Sequence, residues 1–311
     1  MNKKQLIIRA DGGPEIGMGH IVRCLALAEM SGLKNISFAC QKEKSGYLEQ
    51  TITEAGFKYI DLPVEQDFIQ DIKNLISLIT KEDIVVFDHY QLKTEHQKLI
   101  KENGNKLICI DDLHNCHFVA DVIINHAVGG IESKYSKEQY TQLYCGPQYA
   151  LLRKPFREVI SNPKKQDSLF ICFGAADPEN YTLKYLELIK GNKNFPMVQV
   201  LVGSVNKNYN SLKEYCKQYN YDFLTNLSAE ELCQTLQESK YAIVAASGIA
   251  LEAMACGCLI LPVLSAENQR EFFSFLQGTN LTAEITPSSF ISYKLDIRKN
   301  TLDFYNKLFV Q

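Results

Sequence analysis

Short apolar runs alternate with longer amphipathic stretches along almost the whole chain. Leu6, Ile7 and Ile8 read as a strand that gives way to a glycine-bearing loop, after which apolar positions return at helical spacing. The alternation continues through a strand at 35–41, a helix at 46–56, a short strand at 57–62 and an amphipathic helix at 67–80. In that helix Phe68, Ile69, Ile72, Leu75, Ile76 and Ile79 recur with the helical period. Strands follow at 84–90, 106–112 and 120–127, with a helix around 94–103. Runs this apolar are expected where helices cover both faces of a parallel sheet.

From 128 to 167 the pattern is mixed. Asn162-Pro163-Lys164-Lys165 has the clearest linker composition, so the boundary is placed at 160, giving an α/β domain over 1–160 and another over 161–311. Beyond it the alternation restarts, with strands at 168–174, 197–203, 221–227, 241–248 and 258–264 and helices between them. One helix opens at Ser228 with Glu231 three residues on, a capping-box pair, and Gly257 closes another. The closing residues are expected to form a helix returning to the first domain. The fold class predicted is α/β, two doubly wound domains facing a cleft.

Composition narrows the functional classes. Hydrophobic residues make up 46% of the 311 and charged residues 22%, as in soluble globular proteins. A net charge of −3 gives no reason to expect nucleic-acid or membrane-surface binding. The opening segment has too short an apolar core for a secretory signal, and no apolar run reaches spanning length, so no stable membrane insertion is expected. Ten cysteines lie scattered, several in apolar runs (Cys40, Cys109, Cys172), which fits reduced thiols and a cytoplasmic location. All six histidines fall at or before His126, so imidazole chemistry belongs to the first domain.

The most informative stretch runs from 9 to 28. Gly17-Met18-Gly19-His20 is not a dinucleotide fingerprint, because Val22 stands where its third glycine belongs, and no Lys-Ser/Thr follows to make a P-loop. What remains is a close-approach loop with His20 in the first turn of a helix, whose positive end favours a neutral, proton-accepting ring. Asp11 is placed either to orient His20 or to cap the loop. Asp88-His89-Tyr90 ends a strongly apolar strand, where open α/β sheets bind ligands, and alternation makes Asp88 and Tyr90 the natural pair on one side. Asp111, Asp112, His114, Cys116 and His117 match no standard metal spacing and read as a solvated turn; no metal site is expected. In the second domain Gly174 and Asp177 end a strand. Ser247 and Gly248 open a helix suited to a diphosphate, and Glu252 one turn on is placed for a ribose or for the helix dipole. Glu267, Asn268 and Gln269 offer polar groups at a further strand end.

Taken together and in order, these pieces resemble one family, the UDP-2,4-diacetamido-2,4,6-trideoxy-β-L-altropyranose hydrolases of pseudaminic acid biosynthesis. The resemblance runs from Arg9 to about Glu284. It rests on Arg9, Asp11, Ile16, Gly17, Gly19, His20 and Arg23, on 88–90 and 111–112, on CGPQYALLR and Phe156 within 145–156, on 173–177 and on 246–253. The chain departs from the family at Gly12-Gly13-Pro14 and at Ala175-Ala176. The resemblance implies a GT-B fold, shared with the transferase that makes lipid II, with His20 as catalytic base, Tyr90 near the sugar and UDP on the second domain. It also implies inverting, metal-independent hydrolysis with no cofactor, releasing UDP and the free diacetamido sugar. A GT-B transferase, a hydrolysing UDP-sugar 2-epimerase using Asp88, Asp111 or Asp112, and a non-catalytic nucleotide-sugar binder remain alternatives. Nothing in the sequence specifies an oligomer.

Overall fold

A computed structural model describes residues 4–13, 17–42, 46–159, 165–278, 285–292, 304–305 and 307–309. The chain divides into two units, Met1–Leu151 with Lys299–Gln311, and Leu152–Arg298. That division lies upstream of the boundary read from the linker composition; residues 160–164, which carry the linker signal, lie outside the described residues, as does Ile16 of the loop motif.

In the first unit the strands are β1 (Leu6–Ala10), β2 (Ile36–Gln41), β3 (Lys58–Leu62), β4 (Ile84–Asp88), β5 (Lys106–Ile110), β6 (His117–Phe118), β7 (Val122–Asn125), β8 (Ser136–Lys137) and β9 (Gln142–Cys145). Among the described residues seven form one sheet, in the order β3-β2-β1-β4-β5-β7-β9, while β6 and β8 make a separate pair. Every pairing in the large sheet is parallel. Both faces are covered, which explains the near-continuous apolar runs. Leu6, Ile8 and Ala10 pack with Ile21, Cys24 and Leu27 of α1 (Gly19–Met30), whereas Ile7 packs with Phe68, Ile72 and Leu75 of α3 (Phe68–Ile76) on the opposite face. Between them lies α2 (Tyr47–Glu54), and α4 (Thr94–Glu102) joins β4 to β5. The seventh strand of the sheet, β9, falls in the stretch whose pattern is mixed; its four residues QLYC are too short a run to announce a strand.

The tail also belongs to this unit. Tyr305, Leu308 and Phe309 are buried in the core that α1 closes, and the Tyr305 hydroxyl donates to the Tyr149 carbonyl over 2.7 Å.

The second unit begins with α5 (Lys154–Arg157) and carries strands β10 (Gln166–Cys172), β11 (Met197–Leu201), β12 (Asp222–Leu224), β13 (Ser239–Ala245) and β14 (Leu259–Val263). Among the described residues they form one parallel sheet in the order β12-β11-β10-β13-β14. Pro262 lacks an N–H and sits in an edge strand, where the missing donor is tolerated. Helices α6 (Tyr181–Ile189), α7 (Tyr209–Tyr219), α8 (Ala229–Glu238), α9 (Gly248–Ala255) and α10 (Arg270–Phe275) complete the unit. The capping box is formed as expected: Ser228 Oγ accepts from the Glu231 N–H, and Glu231 accepts from the Ser228 N–H. In both sheets the strand order reverses beside the first strand, and the crevice at such a switch point is where doubly wound sheets bind ligands.

Candidate active site

β1 and β4 are neighbours, with Ala10 opposite Asp88, so the loop leaving β1 and the residues leaving β4 emerge side by side. The loop is tied by reciprocal backbone bonds between Gly13 and Gly17 (3.2 and 2.7 Å). A side chain at Gly12 would run into Ile21, and Gly17 has a φ of +82°, so glycine is required at both positions to start α1 here. No side chain caps α1, and its first turn holds His20 over the ends of β1 and β4.

The imidazole of His20 is buried, and its Nδ1 lies 2.7 Å from Asp88 Oδ1. An ionised carboxylate only accepts, so Nδ1 donates to it, and in the neutral ring Nε2 keeps its lone pair. Arg23, one turn further along α1, donates through Nε and Nη2 to both oxygens of Asp88 (2.6 and 2.5 Å) and through Nη1 to Asp112 (2.9 Å). Burial opposes ionisation of Asp88, but the charge of Arg23 and the hydrogen bonds from Arg23 and His20 hold its carboxyl far below the usual range. The Tyr90 ring meets His20 edge-on at 4.5 Å between centroids. Asp88 and Tyr90 thus both contact His20. The carboxylate orienting His20 is Asp88, not Asp11, because β4 places Asp88 directly beneath the first turn of α1.

Asp11 serves a second network. Arg9 is fully buried and, by strand alternation, points to the sheet face opposite α1, where Asp71 of α3 lies 2.9 Å from its Nε. Arg9 also pairs with Asp11 (2.6 and 2.8 Å), and the Gln41 N–H donates to Asp11 Oδ1 over 2.8 Å. Burial works against charge on Asp11, yet the bond from His89 and the pairing with Arg9 lower its carboxyl well below the ordinary range. His89 stacks on Phe68 at 4.7 Å, and its Nε2 lies 3.4 Å from Asp11 Oδ2. Asp11, His20, Gln41, Glu65, Gln66, His89, Tyr90 and Gln91 line one cavity of about 530 Å³ within the first unit. Sequence reasoning met His89 only within the 88–90 motif and did not reach Asp71. Asp71 left a signal, a carboxylate on the apolar stripe of α3 beside Phe68 and Ile72.

Around 111–117 the structure shows a turn: Asp111 Oδ2 accepts from the N–H groups of Leu113 and His114 (3.2 and 2.7 Å). Among the described residues no group of three or more His, Cys, Asp or Glu side chains is arranged to hold a metal ion. Burial, opposed by the His114 N–H and reinforced by Asp112, pushes Asp111 up to about 6. Burial pushes the His126 imidazole down to about 3; nearby Arg23 acts in the same direction and Asp88 against it.

In the second unit, β13 runs into α9 through Ser247, whose backbone is extended and whose hydroxyl makes no cap bond to the helix. Gly248 is exposed, and a Cβ there would meet nothing within 4 Å. Gly174 leaves β10 with a φ of +85°. The other proposed contacts are already occupied. Asp177 accepts from the N–H groups of Tyr181 and Thr182 (2.8 Å each), so it caps α6 rather than facing outward. Glu252 is buried in a two-pronged pair with Arg153 (2.8 and 2.9 Å), which the sequence did not foretell. Gln269 accepts from Ser265, and Glu267 pairs with Arg270; Asn268 lies between them, half-buried in a 3₁₀ turn.

The two doubly wound units define a GT-B protein. The MurG structure from Acinetobacter baumannii shares this fold, with a TM-score of 0.55 at 13% identity over 99% of this chain and 90% of its own. The motif resemblance extends to whole-chain similarity: the chain resembles the Campylobacter jejuni UDP-2,4-diacetamido-2,4,6-trideoxy-β-L-altropyranose hydrolase, with 27% identity over 281 residues, 88% of this chain and 96% of that protein. It is also 28% identical to the Bacillus subtilis spore coat polysaccharide biosynthesis protein SpsG over 308 residues, 93% of this chain and 87% of the relative. No protein-family model matches the chain. Among the described residues no helix is long and apolar enough to cross a membrane.

Proposed function

We propose that this protein hydrolyses a UDP-linked 2,4-diacetamido-2,4,6-trideoxy hexose at its anomeric carbon, releasing UDP and the free sugar. The observation that carries this reading is the His20–Asp88 pair, which leaves an unprotonated Nε2 on a histidine lining the first-unit cavity. Nε2 takes a proton from water as the water oxygen bonds to C1. The bond from C1 to the diphosphate breaks with its electron pair going to UDP, and attack opposite the leaving group inverts the centre. Asp88 stabilises the imidazolium as it forms; a positioned base of this kind contributes roughly 10²–10⁴-fold. Arg23 holds Asp88, and Tyr90 packs against the ring that does the work.

UDP is assigned to the second unit, its diphosphate on the open N-terminus of α9 at Ser247 and Gly248, with Gly174 allowing close approach. Asp177 acts there by fixing α6, and Glu252 reaches a ribose only by sharing its carboxylate with Arg153. No residue of the scheme requires a metal ion.

Proton NMR of the protein with the UDP-diacetamido sugar and a chelator tests the reading. UDP and free sugar are expected without any added acceptor, with hydrogen retained at C2 in deuterated water. H20A and H20N are expected to lose turnover by about 10²–10⁴-fold while UDP affinity stays within a few-fold. UDP release only after an acceptor is added indicates transfer, and exchange at C2 indicates epimerisation. Full activity in either His20 variant removes it from the mechanism.

A further inference from the structure

The base proposed above has a cation beside it as well as a carboxylate. Asp88 is fully buried and the His20 ring nearly so, and water screens the pair little. A carboxylate in that position, acting alone, favours the imidazolium, and a ring protonated at both nitrogens takes no proton from water. Arg23 changes this balance. Its Nε and Nη2 hold both oxygens of Asp88, and Nη2 also comes within 3.2 Å of His20 Nδ1. Nδ1 already gives its proton to Asp88 over 2.7 Å, so the second contact sets a guanidinium N–H beside a ring N–H. Two donors make no hydrogen bond, and the repulsion between them grows as the ring becomes positive.

The other groups around the ring do not supply this charge. Tyr90 meets it edge-on with a phenol, and Cys24, whose thiol reaches Asp88 Oδ2 over 3.5 Å, is kept protonated mainly by burial. His126 is held neutral by burial. Across the cavity Asp11 is paired with Arg9, and His89 leans on Asp11. That leaves Asp112, whose Oδ2 accepts from Arg23 Nη1 over 2.9 Å. Among the described residues its Oδ1 has no hydrogen-bond partner, so the hydrogen bonding of this carboxylate goes to Arg23.

We infer that Arg23 is a positioning residue that sets the pH range in which His20 works as a base, and that Asp112 sets how strongly it does so. The inference rests on the hydrolase reading for the role of His20. A guanidinium does not give up its proton, so Asp88 always has a cationic partner and the imidazole is free to pass between its two forms. The proton taken from water at Nε2 must leave before the next turnover, and Arg23 favours that departure.

The test is the pH profile of kcat/KM for the UDP-diacetamido sugar, with the His20 ring titrated by NMR in the substrate-free protein. R23M removes the cation. It is expected to move the acid limb and the ring titration up together by about 1 pH unit or more, the scale of one nearby charge. D112N removes the opposing carboxylate, whose side chain is 21% exposed, and is expected to move both down by a smaller amount. R23K keeps the charge without the fork and is expected to lose rate while moving the limb less than R23M. Lower rates with limb and titration unmoved make Arg23 a brace and overturn the inference, as do shifts of one sign in R23M and D112N. If R23M does not fold, a downward shift in D112N upholds the inference and an unmoved or rising one overturns it. A native protein that releases no UDP overturns the hydrolase reading and the role of His20 as base. Ring titrations that still move in opposite directions then uphold the effect of Arg23 and Asp112 on His20.

Discussion

His126 and Asp111 respond to acid in opposite senses. His126 is held neutral by burial, its imidazole lowered to about 3. An unfolded chain takes that proton below about 6.5, so acidification through this window favours unfolding. Asp111 is raised to about 6, so the folded state takes its proton first, and its contribution is present below about 3.9 and lost as pH rises through 6. Between about pH 4 and 6 each group changes stability by up to about 1.4 kcal/mol per pH unit, with opposite signs. D111N removes the counterweight. Urea unfolding at pH 6 and 4.5 is expected to show a steeper acid loss in D111N than in the native protein; identical slopes contradict the prediction. At this scale the sequence revealed which residues gather at one place better than how they pair. His20, Asp88 and Tyr90 were legible because a strand end and a helix start announce themselves in the apolar pattern. The role of Asp11 was left open between orienting His20 and capping the loop, because the choice between two carboxylates depends on the β1–β4 register, a contact between residues far apart in sequence. His89 escaped because β4 ends at Asp88, beyond which strand alternation no longer decides which side a residue faces.

At the scale of elements, two glycines in the second unit illustrate different demands. A Cβ on Gly203 would sit 2.4 Å from the Ala175 carbonyl oxygen, backbone that cannot yield, whereas one on Gly248 meets open space. G203A is therefore expected to lower stability by about 1–3 kcal/mol without a specific effect on UDP binding. G248A is expected to leave the thermal midpoint unchanged or slightly higher and to weaken UDP several-fold by crowding the diphosphate. Calorimetry of both variants separates the two. Strands and helices were legible wherever apolar periodicity was strong, and Ser228 announced its helix from the capping pair alone. β9 was not, because a short edge strand is stabilised by its neighbour β7 rather than by a pattern of its own. The pairing of Arg153 with Glu252 was invisible for a similar reason: only the fold brings α5 against α9.

At the scale of the whole molecule, the chain leaves the first unit at Leu151 and re-enters it at Lys299. Tyr305, with Leu308 and Phe309, is buried in a core otherwise built from residues up to Leu151. Y305A is expected to cost about 3–5 kcal/mol through the cavity it leaves, and Y305F about 1 kcal/mol through the lost bond to the Tyr149 carbonyl. Chemical denaturation followed by a probe in the first unit is the measurement, and a Y305A variant as stable as the native protein argues against the packing. The tail also imposes an order of events during synthesis. A ribosome delivers the seven-stranded sheet long before it delivers Tyr305, Leu308 and Phe309, so the nascent first unit waits with part of its apolar core uncovered while the second unit is translated. Emergence of those tail residues, rather than completion of the sheet, is the moment that unit becomes whole, and a chain stalled before them would be a natural client for a chaperone.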